Sequence, residues 1–87
     1  MTRSGDGYGS ETHSFTPAGV TIQRAGTVTW NNNTGLVHNV TFAAATGAPG
    51  NIPDLSEGSV SRSFNTVGTF NYQCTNHSGM TGQVIVR

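Results

Sequence analysis

Gly68-Thr69-Phe70-Asn71-Tyr72-Gln73-Cys74 alternates polar and apolar side chains, then runs straight into Thr75-Asn76-His77-Ser78-Gly79-Met80. In an extended strand, residues two apart share a face. Phe70, Tyr72 and Cys74 therefore point into a core, and Thr69, Asn71 and Gln73 face water. The same period recurs along the chain. Val20 and Ile22 alternate with Thr21 and Gln23, and Val28 and Trp30 with Thr27 and Thr29. His38, Val40 and Phe42 share one parity, with Asn39 and Thr41 on the other. Gly82, Val84 and Val86 close the chain, opposite Thr81 and Gln83. Ala25-Gly26 and Asn31-Asn32-Asn33-Thr34-Gly35 supply the turns. Short strands at roughly 8–12-residue spacing predict an all-β chain folded as an antiparallel sandwich.

Two segments fit this pattern less well. Val60, Arg62 and Phe64 share a parity, which puts Arg62 on an apolar face and points to a bulge or an edge strand. Ala43 to Gly58 carries Gly47, Pro49, Gly50 and Pro53, and reads as an irregular connection with one helical turn over Asp54 to Glu57.

Composition narrows the function. The chain has 87 residues, enough for one small domain, and 33% hydrophobic content makes for a thin core. Thr, Val, Asn, Ser and the 12 Gly suit strands and turns rather than a helical bundle. Four Arg balance four acids, and there is no Lys. No basic patch supports nucleic-acid binding, and no stretch nears the roughly 20 apolar residues of a membrane span. Residues 1–12 are polar and Gly-rich, without the apolar core of a signal peptide. They are expected to form a flexible tail ahead of a single domain over 13–87.

The lone Cys74 cannot form an internal disulfide. With His77 and Met80 it makes a C-x-x-H-x-x-M loop, which gathers a thiolate, an imidazole and a thioether in seven residues. That set is poor for structural zinc and suits copper, since soft sulfur favours Cu(I) and imidazole tolerates both oxidation states. His38 is the natural fourth donor. Its parity sends it inward with Val40 and Phe42, as the parity of Cys74 does with Tyr72. Two inward donors at the ends of different strands place the metal at one pole of a sandwich. Two imidazoles, one thiolate and a weak axial thioether form the donor set of blue-copper electron-transfer sites. His13, in Glu11-Thr12-His13-Ser14, reads as a solvated side chain of the polar lead-in.

Several blocks in order carry a family resemblance: Phe15-Thr16-Pro17, Gly26-Thr27-Val28-Thr29-Trp30-Asn31, His38-Asn39-Val40, Gly68 to Cys74, and Met80-Thr81-Gly82-Gln83-Val84-Ile85-Val86. Across about residues 15–87 the chain resembles the cupredoxins, in particular plastocyanin-like and amicyanin-like blue copper proteins. The two residues between His77 and Met80 match the short amicyanin-type loop, whereas Asn76 and Ser78 stand where the family often has Pro. The resemblance implies a small Greek-key β-sandwich with one copper per chain. It implies His38 and His77 as Nδ1 ligands, Cys74 as the strong thiolate and Met80 as the axial thioether. It further implies that Asn39 sends its backbone N–H to the Cys74 sulfur and ties its side chain near Thr75. Asn76, unlike Pro, keeps an N–H for a second hydrogen bond to that sulfur.

The implied function is one-electron transfer by a Cu(I)/Cu(II) cycle, without enzyme activity, between a redox donor and an acceptor that dock transiently near His77. The chain is expected to be a monomer and, by family habit, extracytoplasmic, in a periplasm or held at a membrane by a removed segment. The alternative is a copper carrier or storage module, although such proteins favour Met-rich or paired-Cys sites.

Overall fold

The computed structural model describes residues 1–4, 12–77 and 79–87. Residues 5–11 of the expected flexible tail over 1–12, and the loop residue Ser78, lie outside the described residues. Within them the regular elements are strands: β1 (Thr2–Ser4), β2 (Thr12–Ser14), β3 (Gly19–Ile22), β4 (Gly26–Asn32), β5 (His38–Phe42), β6 (Ile52–Leu55), β7 (Gly58–Phe64), β8 (Gly68–Gln73) and β9 (Thr81–Val86). The main sheet has the order β3-β9-β8-β5-β6, and β4 pairs with β7 in a second ladder. All pairings are antiparallel except β3 with β9, which are parallel. This is the all-β sandwich that the alternation predicts.

The parity of β8 sets the core. Phe70, Tyr72 and Cys74 are buried, while Thr69, Asn71 and Gln73 are exposed. Val84 and Val86 are buried on β9, in register with Phe70 and Gly68 respectively. Rings from both ladders close the space between them. Tyr72 meets Trp30 edge-on at 5.4 Å and Phe15 at 4.8 Å, and Phe42 meets Phe64 edge-on at 6.0 Å. These are favoured aromatic geometries. Phe64 and Val40 are fully buried, and each such side chain contributes about 1.5–3 kcal/mol by leaving water.

Two expectations need correction. The stretch from Ala43 to Gly58 is not wholly irregular, and residues 54–57 form no helical turn: Ile52–Leu55 is a strand beside β5. Ile52 decides this by burying its side chain, and Pro53 is tolerated because β6 is an edge strand. The parity of Arg62 also resolves. Its stem lies on the inward parity, and its guanidinium turns to loop carbonyls, with Nε donating to Gly50 O at 2.9 Å and Nη2 to Asn51 O at 3.0 Å. Arg62 thereby ties β7 to the approach of β6.

At the N-terminus, β1 pairs antiparallel with β2 in the register Thr2 with Ser14, Arg3 with His13 and Ser4 with Thr12. The expected boundary after residue 12 falls inside this ladder. Met1 packs against the core, and its amino group donates to Asn31 O at 3.1 Å.

Candidate metal centre

β8 ends at Gln73, and the inward parity of the strand delivers Cys74 to the pole of the sandwich. The chain then closes a tight loop. His77 N donates to Cys74 O at 3.4 Å, Met80 N to His77 O at 3.2 Å, and Cys74 N to Met80 O at 2.9 Å. Gly79 takes a left-handed φ of 82°, which a side chain would resist. The loop therefore returns Met80 beside Cys74, with both side chains buried.

His38 opens β5, which lies next to β8, and is wholly buried. Cys74 Sγ lies 3.7 Å from His38 Nδ1 and 3.6 Å from His77 Nδ1. Metal–nitrogen and metal–sulfur bonds of about 2.0–2.3 Å, opened to roughly 120°, place such atoms about 3.7 Å apart. Each imidazole thus lies at the distance from the Cys74 sulfur that a shared metal ion would require, and the softness of the set suits copper. Met80 sits at the same pole, fixed by its own N–H and carbonyl.

Asn39 organises the surroundings. Its backbone N–H points at Cys74 Sγ from 3.5 Å. Its Nδ2 donates to Thr75 Oγ1 at 2.8 Å, and Thr75 N donates back to Asn39 Oδ1 at 3.1 Å. The Asn39 Nδ2 also donates to Asp54 Oδ1 at 3.0 Å, and so does the Asn76 Nδ2, again at 3.0 Å. Asp54, on β6, therefore joins the residue after His38 to the residue before His77. Those two amide bonds hold its carboxyl below the ordinary value. The sequence reading places Asp54 in a helical turn and gives it no part in the site.

Asn32 likewise has no role on the sequence alone. The run Asn31 to Gly35 reads as turn sequence, yet Asn32 ends β4 and is buried. Its Nδ2 donates to Leu36 O at 2.8 Å and Leu55 O at 2.6 Å, and its Oδ1 accepts from Thr34 N and Thr34 Oγ1. It thus fixes the turn that leads into His38.

The solvated reading of His13 is corrected by the structure. Its strand packs on the pole, half-buried, with its ring 4.0 Å from that of His77 and 5.6 Å from that of His38. One candidate donor atom from each of His13, His38 and His77 lies within 4.8 Å of the others. Three residues are too short a strand to show a period, so the sequence held no signal for this placement. Burial, then His77, His13 and the chain's own ammonium, lower the His38 pKa to about 4. Burial and then His13 also lower that of His77. Both rings are accordingly neutral near pH 7, the form that binds metal.

Residues 5–87 match the family of copper binding proteins described as the plastocyanin/azurin family. Plastocyanin of Scenedesmus fuscus is 38% identical over 86 residues, covering 84% of this chain and 86% of that one. Chloroplastic plastocyanin of Tetradesmus obliquus is 39% identical over 84 residues, 84% of this chain and 58% of that one. Amicyanin-alpha of Methylorubrum extorquens is 40% identical over 70 residues, 77% of this chain and 59% of that one. The chain thus spans under two thirds of the length of the latter two relatives. Among solved structures, a purple cupredoxin from Nitrosopumilus maritimus superposes with a TM-score of 0.73 at 28% identity, covering 94% of this chain and 86% of that one. A reduced Cu(I) amicyanin mutant at pH 4 superposes with a TM-score of 0.72 at 33% identity, covering 80% and 70%. With copper-suited donors at one pole of this sandwich, the chain belongs to the plastocyanin/azurin family of copper binding proteins.

Proposed function

We propose that this protein carries single electrons at a mononuclear type 1 copper site held by His38, Cys74, His77 and Met80. The observation that carries the reading is the position of Cys74 Sγ, 3.7 Å from the Nδ1 of His38 and 3.6 Å from that of His77, with Cys74 and His38 buried. Copper bound there would supply a one-electron couple tuned by its thiolate and axial thioether. The chain's own part is to hold those donors in one geometry for both oxidation states. The Asn39, Thr75 and Asp54 bonds do this by fixing the strand before the site to the loop after it. The Asn39 N–H tempers charge on the Cys74 sulfur.

Four protein donors leave little room for a substrate, which favours a carrier over an enzyme. The redox partners are proposed to dock where His77 nears the surface, with exposed Val37 beside His38 as part of an apolar rim. Zero formal charge argues for weakly steered, transient contacts between a monomer and its partners. Among the described residues no helix is long and apolar enough to cross a membrane. An extracytoplasmic setting is proposed from the resemblance. Residues 13–87 contain every proposed donor, and residues 1–12 are proposed to be unnecessary for copper to bind.

The test is an absorption spectrum after one equivalent of Cu(II). An intense thiolate-to-copper band that Cys74→Ala abolishes is expected. Copper bound tightly without that band would defeat the assignment.

A further inference from the structure

Three imidazoles converge on this pole, whereas the donor set above uses two. The third belongs to His13. Its ring reaches both of the others, and the donor atoms of the three lie within 4.8 Å of one another. Three nitrogens bound to one metal at about 2.0–2.1 Å lie about 3.6 Å apart when spread evenly. Closing the three onto one ion therefore takes a movement of about an ångström. A half-exposed side chain makes such a move on a fast timescale.

The approach of His13 is built into the fold. The residue sits in the middle of β2, opposite Arg3 in the β1 ladder. That ladder is anchored by the Met1 amino group on Asn31 O and by Met1 against the core. The ring packs against that of His77, with the centroids 4.0 Å apart.

We propose that His13 is a further imidazole ligand of Cu(II) at this site. The inference rests on the copper reading given above. Cu(II) favours nitrogen-rich, tetragonal surroundings, and Cu(I) is content with fewer and softer donors. A third imidazole would therefore make the donor set richer in nitrogen and weaken the dependence of Cu(II) on Met80. Part of the thiolate charge-transfer intensity then moves from the blue band to a second band at higher energy. Because the added donor favours Cu(II), it also lowers the reduction potential.

The experiment loads the full-length protein, His13→Ala and His13→Asn with one equivalent of Cu(II). Absorption and pulsed EPR are recorded, the latter counting coupled imidazoles. Melting of the metal-free proteins reports on the fold. Three imidazoles and two thiolate bands are expected in the parent. Two imidazoles, one blue band and a higher potential are expected in both variants. Two imidazoles and one unchanged spectrum in all three proteins would overturn the proposal and leave His13 as a packed ring. A lowered melting point with an unchanged imidazole count would overturn it in the same way. A thiolate band missing from all three proteins would defeat the copper reading itself, a result distinct from either.

Discussion

Asn39 and Thr75 hold each other at two points: Asn39 Nδ2 donates to Thr75 Oγ1 at 2.8 Å, and Thr75 N donates to Asn39 Oδ1 at 3.1 Å. The first residue follows His38 and the second follows Cys74. The pair therefore sets the distance between two donors that lie 36 positions apart in the chain. Asn39 is buried, while its partners Thr75 and Asp54 are exposed and can turn to water when it is removed. The cost is then the net worth of the bonds lost, about 0.5–1.5 kcal/mol each: about 1–3 kcal/mol for Asn39→Ala, which loses several, and about 1 kcal/mol for Thr75→Ala. Urea unfolding of the metal-free protein measures both. A double variant should cost less than the sum of the singles, because the two residues share their bonds. Simple additivity would show that the bonds do not act as a unit.

Met80 tunes the proposed site more than it holds the metal. Replacing its thioether by a harder oxygen donor favours Cu(II), and removing the donor favours Cu(I). Met80→Gln should lower the reduction potential and Met80→Leu should raise it, with copper retained in both. Voltammetry reads the result. Equal potentials in the parent and both variants would remove Met80 from the donor set.

His38 makes the metal-free protein sensitive to acid. Its pKa in the fold is about 4, against an ordinary 6.5, so the unfolded chain takes up the proton first. Stability rises with pH wherever the unfolded state binds more protons. The contribution is complete above pH 6.5 and is lost as the pH falls towards 4. His77, lowered in the same direction, adds to that slope. Asp54 is also lowered, from 3.8, so its loss comes at lower pH still. Melting temperatures of the metal-free protein should decline across the His38 window, and His38→Gln should flatten the curve. An equally steep curve in that variant would locate the sensitivity elsewhere.

Gly82 tests the packing that supports the site. It lies opposite Tyr72 in the β8–β9 ladder, and a Cβ there would collide with the phenol ring. Tyr72 cannot retreat easily, being packed edge-on against Phe15 and Trp30. Gly82→Ala should destabilise the fold by about 1–3 kcal/mol, the usual cost of overpacking. In a domain of this size, each kcal/mol lowers Tm by roughly 4–8 °C. A melting point within a degree of the parent would show that the ring yields.

The sequence by itself determined whatever depends on near neighbours. Cys74, His77 and Met80 share one short loop, so their spacing fixes that they meet. The period-two pattern of β8 fixes that Cys74 faces inward, and the same pattern in β5 does so for His38. The tertiary structure decided everything that depends on which strands lie side by side. β6 stands next to β5, so Asp54 meets both Asn39 and Asn76, although a segment with Pro53 and Asp54 shows no strand period. Ile52 supplies the buried contact that makes it a strand. Likewise, β1 and β2 are too short to carry a periodic signal, and their ladder swings His13 over His77. Alternation tells which way a side chain faces within its own strand. The pole of a sandwich is built from the ends of several strands, and only the strand order decides which of them share it.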